Sequence, residues 1–277
     1  KKIMDMIRYP ERLTYAGRLD KDSEGLILLT NDGDLINAMM RGANRHEKEY
    51  IVKTIVTTET IKTIAERNGV EMYDVYTGFK WIANVMRENE GKKNYIGGGE
   101  ESYGFLCEDF VRDKDAVSAC VILAEIAAWA KDQGLSLYQL LQKIYVEYGF
   151  SKEKGISVVK KGKSGAEEIE AMMKKFRENP LTEIAGSKVT YFYDYSTLKG
   201  KDYAENETVT LDMPTTSNVL QYFTEDNTKV SIRPSGTEPK IKFYCEVHSK
   251  VKSIDELPEA EKAAEEKINQ IKASLGI

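Results

Sequence analysis

Residues 50–87 read YIVKTIVTTETIKTIAERNGVEMYDVYTGFKWIANVMR. The first eight, residues 50–57, are rich in β-branched and aromatic side chains and read as a strand. Residues 59–67 then place Ile61, Ile64 and Ala65 at helical spacing, and Gly69 stops the run. A second strand signal follows at residues 70–76 and a second helix signal at residues 79–87. Strands alternating with helices predict an α/β layer with parallel pairing.

Working outward from that stretch, residues 94–99 read as a short strand entering a glycine-rich turn. Asp113 or Asp115 is placed to cap a helix over residues 116–131, which Gly134 ends. Residues 116–130 are the most apolar part of the chain and are expected to form a buried helix, too short for a membrane span. Residues 137–148 give another helix. Ser164-Gly-Ala-Glu167 has the form of a capping box, and Ile169, Met172, Met173 and Phe176 lie on one face of the helix it would open. Strand signals follow at residues 188–195, 209–213, 219–223 and 229–232. Ile241, Phe243, Cys245 and Val247 alternate as in a half-buried antiparallel strand, and Ala260, Ala264, Ile268, Ile271 and Leu275 form the stripe of a closing helix. Upstream, residues 23–30 read as a strand, Asn31-Asp32-Gly33 as turn chemistry, and residues from Asp34 as a short helix. The expected organisation is an N-terminal α+β fragment (1–52), an α/β domain (53–150) and a C-terminal α+β domain (151–277).

The 277 residues carry a formal net charge of -5, with 41% hydrophobic and 31% charged residues. An acidic balance disfavours DNA or an anionic membrane as the main partner, but leaves room for a small anion held by a local cluster of donors. Residues 1–52 hold nine basic and nine acidic side chains, so the excess negative charge falls in the remainder. Cys107, Cys120 and Cys245 form no C-x-x-C pair, which disfavours a disulfide framework or a zinc site and fits a reducing cytoplasm. The opening KKIMDMIRYPER has no apolar run of the kind a signal peptide carries.

The densest chemistry is Arg233-Pro-Ser-Gly-Thr-Glu-Pro-Lys240, between two expected strands. A guanidinium fork, two hydroxyls and free backbone N–H groups make a compact anion nest, and Lys240 and Lys242 add charge. Read by composition alone, the same octet is also an ordinary polar turn.

RPSGTEPKIKFY resembles the phosphate-binding loop of the α-D-phosphohexomutases of the phosphoglucomutase/phosphomannomutase type. Gly97-Gly-Gly-Glu-Glu-Ser-Tyr-Gly104 resembles that family's sugar-specificity loop, Tyr76-Thr-Gly-Phe-Lys80 its loop at a helix start, and Arg112-Asp-Lys-Asp-Ala-Val117 a further active-site segment. The four motifs occur in the family's order. The resemblance implies that Glu100 and Ser102 bind sugar hydroxyls, that Thr77 and Gly78 line the cleft, and that Arg233, Ser235, Gly236, Thr237 and Lys242 hold the phosphate that is not transferred. Lys114 would be the proton-transfer or charge-stabilising residue. The implied partner is a hexose phosphate, with glucose and mannose both open. The family's phosphoserine and its D-x-D-x-R magnesium loop have no match here. Asp32-Gly-Asp34 continues into Leu35, Ile36 and Asn37 and is turn chemistry. The expectation is recognition without turnover by this chain, no cofactor of its own, and magnesium and glucose 1,6-bisphosphate only for a complete mutase.

A second resemblance lies upstream. Gly17-Arg-Leu-Asp20 and the following KDSEGLILLTNDG resemble the catalytic segment of RNA pseudouridine synthases of the small-ribosomal type. It implies Asp20 as catalytic residue, Arg18 as its ionic partner, RNA as the alternative partner, and Tyr50 of Lys48-Glu-Tyr50 as a platform for the target base. The two resemblances meet at Glu49-Tyr-Ile-Val-Lys53, and the expectation is a chimera joined there.

Overall fold

The computed structural model describes residues 13–16, 28–34, 48–160, 162–236 and 238–277. The chain divides into two compact units, residues 1–48 with 91–94, and residues 49–90 with 95–277. In the first, β1 (Thr14–Ala16) pairs antiparallel with β2 (Leu28–Thr30), Tyr15 opposite Leu29. The turn after β2 is closed by side chains: Asp32 N–H donates to Thr30 Oγ1 at 3.0 Å and Asp34 N–H to Asp32 Oδ1 at 2.9 Å.

The second unit opens with a four-stranded sheet in the order β4-β3-β5-β6. β3 (Glu49–Thr54) passes through α1 (Thr60–Arg67) to β4 (Glu71–Val75), which lies parallel to it with Tyr50 opposite Glu71 and Thr54 opposite Val75. α2 (Phe79–Asn89) then leads to β5 (Asn94–Gly99), and the short β6 (Phe105–Cys107) returns antiparallel to it. Phe79, Ile82, Val85 and Met86 recur at helical spacing and pack α2 against Tyr50, Val52, Val75, Tyr95 and Leu106. Gly98 is required where β5 meets β3, because a Cβ there would stand 2.6 Å from both Val52 O and Tyr95 Oη.

Asp115 caps α3 (Ala116–Asp132), accepting the Ser118 N–H at 2.7 Å. A full capping box of Ser136 and Gln139 opens α4 (Leu137–Tyr148). The expected burial of α3 is corrected: only Ala130 is buried, while Val117, Val121, Leu123 and Trp129 are more than half exposed. Its sequence is apolar around the whole circumference, so one packed side satisfies only part of it. Among the described residues no helix is long and apolar enough to cross a membrane.

From Phe150 the chain builds an eight-stranded sheet whose path is β11-β10-β9-β12-β13-β14-β7, with β8 (Glu183–Ile184) paired to β9 off that path. β7 (Phe150–Val159) runs antiparallel along the full length of β14 (Lys240–Ser249). Its charges at Lys152, Glu153 and Lys154 hide it from a hydrophobicity reading; backbone pairing supplies the strand. α5 (Gly162–Glu178) begins before Ser164, which therefore lies in the first turn rather than capping it, a correction to the capping-box reading. β9 (Ser187–Asp194), β10 (Lys199–Asp202), β11 (Glu207–Thr210), β12 (Leu220–Thr224) and β13 (Lys229–Pro234) follow, and α6 (Leu257–Leu275) closes the domain.

The alternation along β13 and β14 sorts two faces. Val230, Ile232, Ile241, Phe243, Cys245 and Val247 join α5 and α6 in the core. Lys229, Ser231, Arg233, Lys242, Tyr244 and Glu246 share the other face, which meets the α/β domain. Lys229 is 2% exposed and its Nζ reaches Thr57 O at 2.8 Å, Glu59 Oε1 at 2.5 Å and Glu246 Oε2 at 2.9 Å. Lys53 joins at Glu59 Oε1 (2.9 Å) and Asp74 Oδ1 (2.7 Å). Gln221 Nε2 donates to Ile55 O at 2.8 Å and Ser231 Oγ at 2.7 Å, and Tyr76 Oη donates to Thr215 O at 2.7 Å. Ile55, Val56, Tyr76, Tyr195 and Val219 close an apolar patch beside these bonds.

Candidate functional site

The turn from β4 to α2 carries Thr77 and Gly78. Gly78 sits at φ +114°, a conformation that suits glycine, and presents its N–H at the helix start. Glu100 Oε1 accepts that N–H at 2.8 Å, and Glu100 Oε2 pairs with Lys114 Nζ at 3.1 Å. Glu100 thus serves a helix N-terminus and an ammonium together, with its side chain 6% exposed and that of Lys114 51% exposed. The Glu100 N–H donates to Gly104 O at 2.7 Å and closes the loop. A Cβ on Gly104 would stand 2.8 Å from both Glu100 Oε2 and Lys114 Cδ, so glycine is what lets this pair form. Ser102 is exposed beside it, and Tyr103 projects fully into solvent at φ +67°. A carboxylate offers about four lone-pair sites, so two donors leave capacity for sugar hydroxyls.

The second group lies where β13 turns into β14. Arg233 is the register partner of Lys242, and the loop between is tied by Ser235 N–H to Lys240 O (2.8 Å), Lys240 N–H to Glu238 O (2.7 Å) and Lys160 N–H to Pro239 O (2.9 Å). Lys240 is ion-paired with Glu238, which holds the Glu238 carboxyl below its ordinary value. Arg233 and Lys242 therefore supply the positive charge on the cleft face. Gly236 is exposed with open space around it. Thr237 lies outside the described residues, as do Asp20 and Arg18.

Glu101 bridges the two groups. Its Oε2 accepts from Thr54 Oγ1 at 3.1 Å, and its carboxylate also acts on the Tyr244 hydroxyl, which the Arg233 guanidinium flanks as well. The structure brings Thr77, Gly78, Glu100 and Lys114 together, sets Ser102 at their rim, and places Arg233 and Lys242 across Glu101 and Tyr244. Glu101, Thr54 and Tyr244 are not among the site residues that the sequence marks, and the Glu100-Glu101 doublet alone reads as a solvated acidic pair. The available signal was parity along β14: Tyr244 alternates with the core residues Phe243 and Cys245 and so shares the face of Lys242 and Arg233. Tyr50 is corrected. It is 1% exposed, edge-on to Tyr73 with ring centroids 5.6 Å apart and tilted on Tyr95 at 5.5 Å, so no face remains for a base.

Residues 32–148 match the model of phosphoglucomutase/phosphomannomutase alpha/beta/alpha domain III, and residues 157–264 match that of the family's C-terminal domain. The chain belongs to the phosphoglucomutase/phosphomannomutase family. A phosphoglucomutase of Staphylococcus haemolyticus is 35% identical over 214 residues, and one of Staphylococcus aureus is 36% identical over 232 residues. These alignments cover 77% and 82% of this chain but only 39% and 42% of the relatives, so the chain spans about two fifths of their length. A solved structure of the Paramecium phosphoglucomutase pp63/parafusin is 19% identical, covers 73% of this chain and 33% of that one, and has a TM-score of 0.49. The phosphoglucomutase/phosphomannomutase match begins at Asp32, within the stretch that resembles a pseudouridine synthase.

Proposed function

We propose that this chain is the hexose-phosphate-recognition part of a phosphohexomutase. Glu100 and Ser102 accept and donate to sugar hydroxyls, and Arg233, Ser235, Gly236, Thr237 and Lys242 hold a phosphate. The observation that carries the reading is the pairing of a carboxylate site, Glu100 on the Gly78 N–H and Lys114, with a cationic loop site, Arg233 beside Lys242, across Glu101. A phosphorylated sugar presents a diol and a dianion at separate ends, which is what these two groups complement. Lys114 is positioned to stabilise charge developing on a sugar oxygen held by Glu100.

Asp34 N–H donates to Asp32 Oδ1 within one turn. For residues 1–52 the resemblance to a pseudouridine synthase is kept as a separate proposal, a segment joined to the rest, with Asp20 in the catalytic role. Sequencing genomic DNA across the codons for residues 45–58 tests the join, and RNA modification lost in Asp20→Asn would support the synthase reading.

Calorimetric titration with glucose 1,6-bisphosphate, and glucose as the unphosphorylated control, tests the main proposal. Binding of the bisphosphate alone is expected. A folded chain that binds neither would overturn it.

A further inference from the structure

Tyr244 stands on the cleft face without a role in phosphate or sugar binding. The β13–β14 register sets Ser231 opposite Tyr244 and Arg233 opposite Lys242, so Tyr244 lies one pair along the same face from the arginine. Its ring packs on the patch of Ile55, Val56, Tyr76, Tyr195 and Val219, with Lys242 Nζ 5.9 Å from its centroid. Its hydroxyl oxygen is sealed from solvent and meets neither partner at full hydrogen-bond geometry, although the Arg233 guanidinium and the Glu101 carboxylate are its hydrogen-bonding neighbours. Buried hydroxyls are paired in the great majority of cases, so one left open between two functional loops calls for a physical reason. Burial raises its pKa, the Glu101 carboxylate raises it further, and the Arg233 guanidinium opposes both. Glu101 is itself steadied by Thr54. One phenol therefore touches the phosphate loop through Arg233 and the sugar loop through the residue next to Glu100.

We infer that Tyr244 is a positioning residue that couples the two loops, its O–H donating to Glu101 while its oxygen accepts from Arg233 once a phosphate has oriented the guanidinium. The inference rests on the hexose-phosphate reading and deepens it. A guanidinium has a rigid fork of donors, so fixing two of them on a phosphate fixes where the others point. The phenol passes that orientation to Glu101, and the backbone passes it to Glu100. Inorganic phosphate uses the phosphate loop alone. Glucose 1-phosphate uses both loops and so gains from the coupling.

Calorimetric titration of the full chain and of Tyr244→Phe, each with inorganic phosphate and with glucose 1-phosphate, separates these cases. Tyr244→Phe keeps the ring and its packing. It is expected to weaken glucose 1-phosphate about fivefold or more while leaving inorganic phosphate within about twofold. Equal losses for both ligands would make Tyr244 a structural support of the phosphate loop and overturn the inference, as would no loss for either. Glu101→Ala supplies a second arm: read alone, it is expected to weaken glucose 1-phosphate and spare inorganic phosphate whether or not the tyrosine variant folds, and the double variant then tests the coupling. The Glu101→Ala loss is expected to be non-additive with that of Tyr244→Phe, and to be smaller in Glu101→Gln, which keeps an acceptor. Additive losses would overturn the coupling. A wild-type chain that binds inorganic phosphate but not glucose 1-phosphate would instead sink the hexose reading and the coupling together.

Discussion

Glu100 and Glu101 are neighbours in the chain with different duties. Glu100 meets the Gly78 N–H and Lys114, whereas Glu101 meets Thr54 and the hydroxyl of Tyr244. Each duty is fixed by a partner distant in sequence, so the doublet alone reads as a solvated acidic pair. Arg233 differs, because its loop gathers guanidinium, hydroxyls and glycine in one octet and resembles a phosphate-binding loop. Arg233→Ala is expected to weaken binding of a hexose phosphate by about 1.5–3 kcal/mol, the worth of a charge-assisted hydrogen bond. Titration of the variant measures it, and an unchanged affinity would move the phosphate elsewhere on the chain. Residues whose chemistry resides in one short motif, Arg233 and Lys242 among them, were legible from the sequence. Tyr244 was not, because its relevance comes from a cross-strand register that sets it beside Arg233, and nothing in FYCEV announces an unpaired hydroxyl.

Among the elements, β13 does two jobs. It begins at Lys229 in the domain seam and reaches Arg233 at the phosphate loop, roughly 13 Å further at about 3.3 Å per residue. Shifts at the seam are therefore felt at the loop. Lys229 pairs with Glu246 across the strand register, and both are almost fully buried. Burial alone would raise the Glu246 carboxyl, but Lys229 and His248 outweigh it and hold the pKa at about 2, against an ordinary 4.5. A depressed carboxyl contributes stability that is full above the unfolded value and is lost as pH falls through the folded one. The urea midpoint is thus expected to fall as pH drops from 4.5 towards 2. Glu246→Gln should lessen that acid dependence and, by leaving Lys229 less well neutralised, cost about 3–5 kcal/mol at neutral pH. Glu59, also held low by Lys229 and Lys53 against its burial, retains part of the slope. An acid dependence unaltered in Glu246→Gln would assign it to other groups. The helix caps show the limits of local reading in the same way. Asp115 caps as its sequence suggests, yet Ser164, with an equally good signature, falls inside α5 because the helix begins at Gly162.

In the whole molecule, the strand–helix alternation of residues 50–89 was legible because it is written in local periodicity, and the parallel β3–β4 pair follows from it, whereas β6, β7, β8 and β10 carry too little periodic signal to be read. The seam was not legible either. Gln221 and Ile55 are 166 positions apart, and a glutamine second in LQYFT looks like the solvent side of a strand. The exposed apolar side chains of α3 misled in the other direction, since hydrophobicity predicts burial without specifying what covers it. The seam matters because it decides whether the two domains behave as one body. Gln221 makes three bonds there: its amide donates to Ile55 O and Ser231 Oγ, and its carbonyl accepts from Tyr195 Oη at 2.6 Å. With Lys229 on Thr57 and Glu59, Glu246 accepting from Thr58 and Glu59, and Tyr76 on Thr215, bonds cross between the domains at several places. Domains joined by buried, directional bonds unfold together, because opening the seam strands polar groups away from water. A single calorimetric transition is therefore expected for residues 49–277. Gln221→Ala removes three partners at once and leaves Ile55 O, Ser231 Oγ and Tyr195 Oη to find water in a closed space. That loss, about 1–3 kcal/mol for each group left unsatisfied, is enough to uncouple the domains and resolve the transition into two. If the wild-type chain already melts in two steps, the seam is weaker than its bonds imply. A loose seam would also leave Arg233 and Glu100 free to drift apart, with a matching loss of affinity for any ligand that must span both.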